Sequence, residues 1–203
     1  MRIGVLALQG DFAEHIKFLE KLAAEAIPVR KPSELKDLDG LIIPGGESTA
    51  ILKLMHSFNL LKPLKGLARG GLPIMGTCAG MILMAKKVSD CNMDTLSLMD
   101  IEVRRNAFGR QANSFETEIA LPAVGKEPFP AVFIRAPSVE STGPQVEILG
   151  RLANGTIVAA RQGKFLAVAF HPELGSDLRL HRYFLESVAG HREGIHQRAI
   201  PAD

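Results

Sequence analysis

The chain alternates short apolar runs with stretches of helical spacing. Residues 2–8, RIGVLAL, are largely apolar and stop at Gln9-Gly10-Asp11. A run of that length bounded by turn residues predicts a buried strand. Asp11 and Glu14 have the spacing of a capping box, and Ile16, Leu19, Leu22 and Ala23 recur at helical period after them. IPVR (27–30) predicts a second strand. LDGLIIPGG (38–46) predicts a third, stopped by Pro44-Gly45-Gly46, with Ser48 or Thr49 opening the helix TAILKLMHSF. LPIM (72–75) predicts a fourth. Strands and helices joined by short loops predict a parallel sheet covered by helices.

Beyond residue 100 the pattern changes. DIEVRRN, ANSFETEIAL, AVFIRA and QVEILGRL predict antiparallel strands separated by Gly, Pro and Asn. NGTIVAARQGKFLAVAFHPE predicts a hairpin turning at Gln162-Gly163. DLRLHRYFLESVAG (177–190) predicts a closing helix, and residues 191–203 a frayed polar tail. The expected fold is α/β: one three-layer domain over residues 1–190, mostly parallel, with an antiparallel extension in its second half.

Composition narrows the function classes. The chain has 203 residues and a net charge of +2, which gives no electrostatic case for nucleic acid or an anionic membrane. It has no Trp and one Tyr, poor material for stacking on bases. No apolar run approaches the ~20 residues of a membrane span. The first apolar run is too short for a signal peptide and lacks a small-residue cleavage site. Two cysteines, Cys78 and Cys91, do not make a disulfide framework. The expectation is a reduced, cytoplasmic protein.

The chemistry centres on Gly76-Thr77-Cys78-Ala79-Gly80, between a predicted strand and an apolar helical run. Gly-x-Cys-x-Gly at such a corner has the pattern of a nucleophile elbow, with Cys in place of Ser. The turn is too tight for flanking side chains, and a helix starting at Ala79 aims free N–H groups at the sulfur. Such a setting favours thiolate, and the Ala79 N–H is placed to serve an oxyanion. On these five residues alone, a small buried core cysteine is an equally good reading.

A cysteine nucleophile needs a proton shuttle. Of the six histidines, His15 and His56 fall on predicted helices, as exposed or helix-packing residues. His181, His191 and His196 read as surface residues in or after the terminal helix. His171 ends the apolar strand KFLAVAF and precedes Pro172-Glu173. Strand ends in α/β folds face the ligand crevice, and a carboxylate two residues on can fix the imidazole tautomer. Taken alone, the same residues read as a His-Pro turn with a surface Glu. A third element, LIIPGGEST (41–49), places glycines after a strand and before a helix. It lacks the Gly-Lys-Ser/Thr ending of a phosphate loop, so its simplest role is a second oxyanion donor, the Gly46 N–H.

These elements, in this order, resemble the class I (triad) glutamine amidotransferases, whose sheet is flavodoxin-like. GVLALQGDFAEH, PGGEST, GTCAGMI, RNAFGRQANSFE (105–116), FIRAP (133–137) and FHPEL (170–174) are similar, more narrowly, to the glutaminase subunits of pyridoxal 5′-phosphate synthases. The resemblance implies a Cys78–His171–Glu173 triad acting on L-glutamine through a thioester, with no metal and no cofactor. It implies glutamine contacts from Gly46, Glu47, Ser48, Arg105, Ile134 and Arg135, for which Arg forks suit a carboxylate. It further implies that ammonia passes to a separate synthase subunit, with Gln9-Gly10 and the first helix near that contact, and that the isolated chain is idle.

Three other readings remain open on sequence: a glutaminase feeding a different synthase, such as that of histidine or anthranilate synthesis; a non-catalytic glutaminase-like scaffold; and a cysteine peptidase or esterase. A scaffold has no need of Cys78, His171 and Glu173 together. A peptidase is disfavoured by a set of polar residues sized for one amino acid.

Overall fold

The first apolar run forms β1 (Arg2–Leu6), with Ile3 and Val5 fully buried, and the helix after it is α1 (Phe12–Lys21). The computed structural model describes residues 1–109 and 114–198. β2 (Glu25–Val29), β3 (Gly40–Ile43) and β4 (Ile74–Thr77) follow, with α2 (Ser48–Ser57) and α3 (Leu61–Arg69) between the last two. The short α4 (Ala79–Met84) leaves β4 directly.

The second half supplies β5 (Ala85–Val88), β6 (Met99–Arg104), β7 (Ser114–Ile119), β8 (Phe129–Ile134), β9 (Ser138–Thr142), β10 (Glu147–Arg151), β11 (Ile157–Gln162) and β12 (Phe165–Val168). The main sheet has ten strands in the order β2-β1-β3-β4-β12-β11-β9-β6-β5, with β10 paired to β11. From β2 to β12 all neighbours are parallel; β11 turns back antiparallel on β12, and β9 on β11. The expected α/β sheet, parallel with an antiparallel extension, is what the chain builds. β7 and β8 form a separate ribbon held over the sheet, where the His171 N–H donates to the Val132 carbonyl at 2.8 Å.

The core is aliphatic around the parallel strands and aromatic under β8, where Phe129, Phe133 and Phe170 pack together. Leu41, Ile42 and Ile43 of β3 and Ile74 and Met75 of β4 are wholly buried, as expected for strands covered on both faces. Each such side chain contributes about 1.5–3 kcal/mol on leaving water. Among the described residues no helix is long and apolar enough to cross a membrane.

Several expectations need correction. Asp11 sits at the N-cap of α1 but its side chain makes no capping bond. α2 opens at Ser48 as expected, but the cap before it is Glu47, which accepts from the Thr49 and Ala50 N–H groups. The β11–β12 hairpin turns at Gly163-Lys164, since Gln162 pairs with Phe165. The closing helix, α5, runs from Arg179 to Arg198, so the segment expected as tail is helical as far as 198; residues 199–203 lie outside the described residues. So do residues 110–113 of the RNAFGRQANSFE stretch.

Candidate active site

The corner at Cys78 shows why its neighbours are glycines. A Cβ on Gly80 would fall on the Ile43 carbonyl oxygen, and one on Gly76 would lie 2.6 Å from the Gly80 carbonyl carbon. β4 and α4 therefore pack backbone to backbone. Cys78 between them has φ 47° and ψ −102°, a region that costs a residue with a side chain of order 1–3 kcal/mol. Its N–H is tied to the Val168 carbonyl of β12 at 2.8 Å, and its thiol faces the Ile134 carbonyl at 3.7 Å. The strain is held in place by the neighbouring strands.

β12 runs parallel beside β4, so the residues beyond its end arrive next to the cysteine. His171 follows two residues after Ala169 and is 4% exposed. Pro172 then starts a tight helical turn over Pro172–Leu174, which folds Glu173 back onto the imidazole. Glu173 Oε1 lies 2.8 Å from His171 Nδ1, with the carboxylate buried. That contact fixes Nδ1 as the protonated nitrogen and leaves Nε2 for the sulfur. Burial acts to lower the His171 pKa, but the Cys78 and Glu173 contacts outweigh it and hold it at about 10. Glu173 is raised, chiefly by burial, with the His171 contacts opposing.

A second carboxylate shares the imidazole. Asp11 Oδ2 lies 3.2 Å from His171 Nδ1 and is far more solvated than Glu173. This is where the side chain expected to cap α1 has gone. Asp11, His171 and Glu173 have donor atoms within 4.8 Å of one another, close enough to hold a cation. With its proton directed at the carboxylates, Nδ1 has no lone pair to give a metal, so the cluster is an acid–base group.

A cavity of about 1040 Å³ opens over the thiol, ample for an amino acid. Cys78, His171, Gly46, Glu47, Ser48, Arg105, Ile134 and Arg135 all line it, together with Asp11, Asn106, Ser114 and Leu174. Glu173 stands behind His171 rather than in the wall, and Ala79 is buried at the start of α4. Arg135 directly follows β8 at φ 44°. Arg105 pairs with Asp90 at 3.4 Å. Gln9 and Gly10, expected near a partner, also touch the glycine loop. Gln9 Oε1 accepts the Glu47 N–H at 2.8 Å, and Asp11 N–H donates to the Gly45 carbonyl at 3.2 Å.

One histidine overturns its sequence reading. His15, expected as exposed or helix-packing, is wholly buried on α1, and His181, expected at the surface, is wholly buried too. His15 Nδ1 and His181 Nε2 are 2.8 Å apart. Burial lowers both pKa values, that of His181 to about 4, with the His181 and His171 charges adding to the effect on His15. The signal was present: His15 shares the buried stripe of α1 with Phe18 and Leu19, and His181 follows the buried Leu180.

These shifts predict a pH optimum of stability. A histidine kept neutral by burial binds its proton better when unfolded, so stability is lost as pH falls below about 6.5. For His181, from 6.5 to about 4, the loss is on the order of 3 kcal/mol at about 1.4 kcal/mol per unit. His171 acts oppositely. Its raised value gives stability that is full below 6.5 and is lost as pH rises through about 10. The midpoint of thermal unfolding, followed from pH 4 to 10, should begin to fall near 6.5 on the acid side, above the carboxylate range. A flat profile down to pH 5 would contradict the buried neutral pair.

Comparisons with known proteins bear on the family and the fold. Residues 5–190 match the profile of the SNO glutamine amidotransferase family. A protein of Dehalococcoides mccartyi called pyridoxal 5′-phosphate synthase subunit PdxT is 59% identical over 188 residues, 92% of this chain and 96% of that one. One of the same name from Pelotomaculum thermopropionicum is 58% identical over 186 residues, 92% of this chain and 94% of the other. A crystal structure described as a glutamine amidotransferase superposes with a TM-score of 0.87 at 46% identity, covering 92% of this chain and 98% of that one. The structure of PurLQS from Thermotoga maritima, 14% identical with a TM-score of 0.67, covers 91% of this chain and 97% of that one and speaks for the fold alone. On sequence and fold together, the chain belongs to the SNO glutamine amidotransferase family.

Proposed function

We propose that this protein is the glutaminase subunit of a pyridoxal 5′-phosphate synthase, hydrolysing L-glutamine and passing ammonia to a separate synthase subunit. The observation that carries the chemistry is the strained Cys78 beside an imidazole whose other nitrogen is held 2.8 Å from a buried carboxylate. The names of relatives 58–59% identical over almost their whole length support the partner. Residues 1–190 are the catalytic domain on this reading, and the two unpaired cysteines suit the cytoplasm.

Glutamine enters the cavity with its side-chain amide over Cys78. Arg105 and Arg135 offer forks to its carboxylate, and Glu47 a charge to its ammonium, with Ser48 and Ile134 completing the wall. His171, held at about 10, stands protonated beside the sulfur, and the sulfur attacks the amide carbon as thiolate. The N–H groups of Gly46 and Ala79 receive the oxyanion; a donor of this kind is worth roughly 3–4 kcal/mol of barrier. His171 gives its proton to the departing nitrogen, and ammonia leaves a glutamyl thioester. His171 then takes a proton from water, hydroxide attacks the thioester, and glutamate leaves with the thiol restored.

Gln9 and Gly10 contact the loop that carries Gly46. A synthase seated on that segment would act directly on the oxyanion donor. Ammonia release should therefore be slow for the isolated chain and rise at least tenfold on adding the synthase partner of pyridoxal 5′-phosphate synthesis. Full activity of the chain alone would remove the partner dependence. Stimulation by a synthase of histidine or anthranilate synthesis instead would reassign the partner.

A further inference from the structure

Behind Glu173, on the side away from the cavity, lies a polar chain that the reaction just described does not use. His15 of α1 is wholly buried, and its Nε2 stands 3.3 Å from Glu173 Oε2 and 3.2 Å from Thr77 Oγ1. Its other nitrogen meets His181 Nε2 of α5 at 2.8 Å. Thr77 directly precedes the nucleophile, and Glu173 holds the imidazole. One side chain thus touches both Glu173 and the residue before the nucleophile. Glu173 Oε2 is fully buried and has no hydrogen-bond partner. A buried carboxylate oxygen without a donor is costly, and His15 Nε2 is the ring nitrogen facing it.

With Glu173 ionised against the His171 imidazolium, the protons of the two histidines follow. Were His15 protonated on Nδ1, its bare Nε2 would face the lone pairs of Glu173 Oε2. The opposite arrangement satisfies both contacts. His181 Nε2–H donates to His15 Nδ1, and His15 Nε2–H, bonded to Thr77 Oγ1, stands 3.3 Å from Glu173 Oε2 as the nearest donor to it. The atom left over is then His181 Nδ1, an unprotonated acceptor. That nitrogen is the other buried polar atom without a partner.

We propose that His15, set in its tautomer by His181, is a positioning residue that clamps the second oxygen of Glu173 and so fixes the carboxylate that orients His171. The inference rests on the glutaminase reading above. A carboxylate bonded to His171 at one oxygen and faced at the other by the His15 N–H is restrained from turning about its terminal bond, and Oε1 stays aimed at His171 Nδ1. The N–H also favours the ionised form, which burial opposes. The groups facing the pair are Thr77 from β4, Glu173 and His171 from beyond β12, and His181 from α5; the Asp11 charge bears on Glu173 as well.

The test uses the full chain with its synthase present at saturation. His15→Leu removes the donor and keeps bulk. His15→Gln keeps an amide N–H that reaches the same oxygen. His15→Leu should lower kcat by roughly 10- to 100-fold, as for other partners that orient a functional side chain. The KM for glutamine should stay within about twofold, since the residue lies outside the cavity wall. The acid limb of the pH–rate profile should move up by about one unit, because a carboxylate that loses a donor titrates higher. His15→Gln should restore most of kcat and return the limb. Wild-type kcat and profile in His15→Leu would overturn the proposal. So would equal losses in both variants in step with lowered thermal stability, which would mark a packing role.

A second readout needs no catalysis. The imidazole 15N shifts of His15 in the wild-type chain should report a neutral ring protonated on Nε2 from pH 6 to 8. A ring protonated on Nδ1 would sink the clamp even if the variants fail to fold. If the wild-type complex released no ammonia at all, the glutaminase reading would fall, and the 15N result would still decide the hydrogen bond.

Discussion

Cys78→Ala is expected to abolish synthase-stimulated ammonia release, reducing kcat by about 10⁴-fold or more, in line with removal of the nucleophile from other triads. No other described thiol lines the cavity, so nothing can substitute. The synthase should still bind, and glutamine should still bind, because the residues proposed to hold it are untouched. Cys78 also sits at φ 47°, so the same position carries a stability prediction. Alanine inherits the strain, and its thermal midpoint should be near that of wild type. Cys78→Gly can adopt the conformation freely, and should gain about 1 kcal/mol, or roughly 2–4 °C for a chain of this size. Ammonia release surviving in Cys78→Ala would overturn the nucleophile. A Cys78→Gly midpoint well below wild type would show that the corner is not strained.

The parts of this site legible in sequence are those whose chemistry is local. Gly76, Cys78 and Gly80 belong to one turn, and the clash of a Gly80 Cβ with the Ile43 carbonyl is a contact such a tight corner demands. His171 and Glu173 are two residues apart, and Pro172 between them sets the turn. What sequence missed depended on distant partners. Asp11 has the spacing of a cap, yet its carboxylate is drawn to an imidazole 160 residues on. His15 and His181 are polar letters on apolar stripes, and their burial follows from being placed against each other and Glu173. α3 is absent from the sequence reading because LKPLKGLAR carries Pro63 and Gly66, both poor helix formers. β9, SVEST, is short and polar and pairs with β6 and β11 only once the sheet has assembled.

Glu173→Gln is expected to lower kcat by about 10³–10⁴-fold, the range seen when the acidic member of a triad is made neutral. The shape is conserved; the charge is not. His171 is held at about 10 against burial by its contacts with Cys78 and Glu173, and the substitution weakens one of the two. The imidazolium beside the sulfur then loses its counter-charge, and an amide N–H facing Nδ1 would impose the wrong tautomer once the ring is neutral. KM for glutamine should change little, because Glu173 lies outside the cavity wall. Stability should fall near neutral pH, since the buried imidazolium loses its closest counter-charge and only Asp11 remains. The residual activity has a source. Asp11 Oδ2 is 3.2 Å from the same Nδ1 and, being partly solvated, should matter little while Glu173 is present. Asp11→Asn alone should therefore cost severalfold at most, whereas the double variant should fall well below the product of the single losses. Such coupling is the signature of two carboxylates serving one proton. Wild-type kcat in Glu173→Gln would remove it from the triad, and strictly multiplicative losses would separate Asp11 from it.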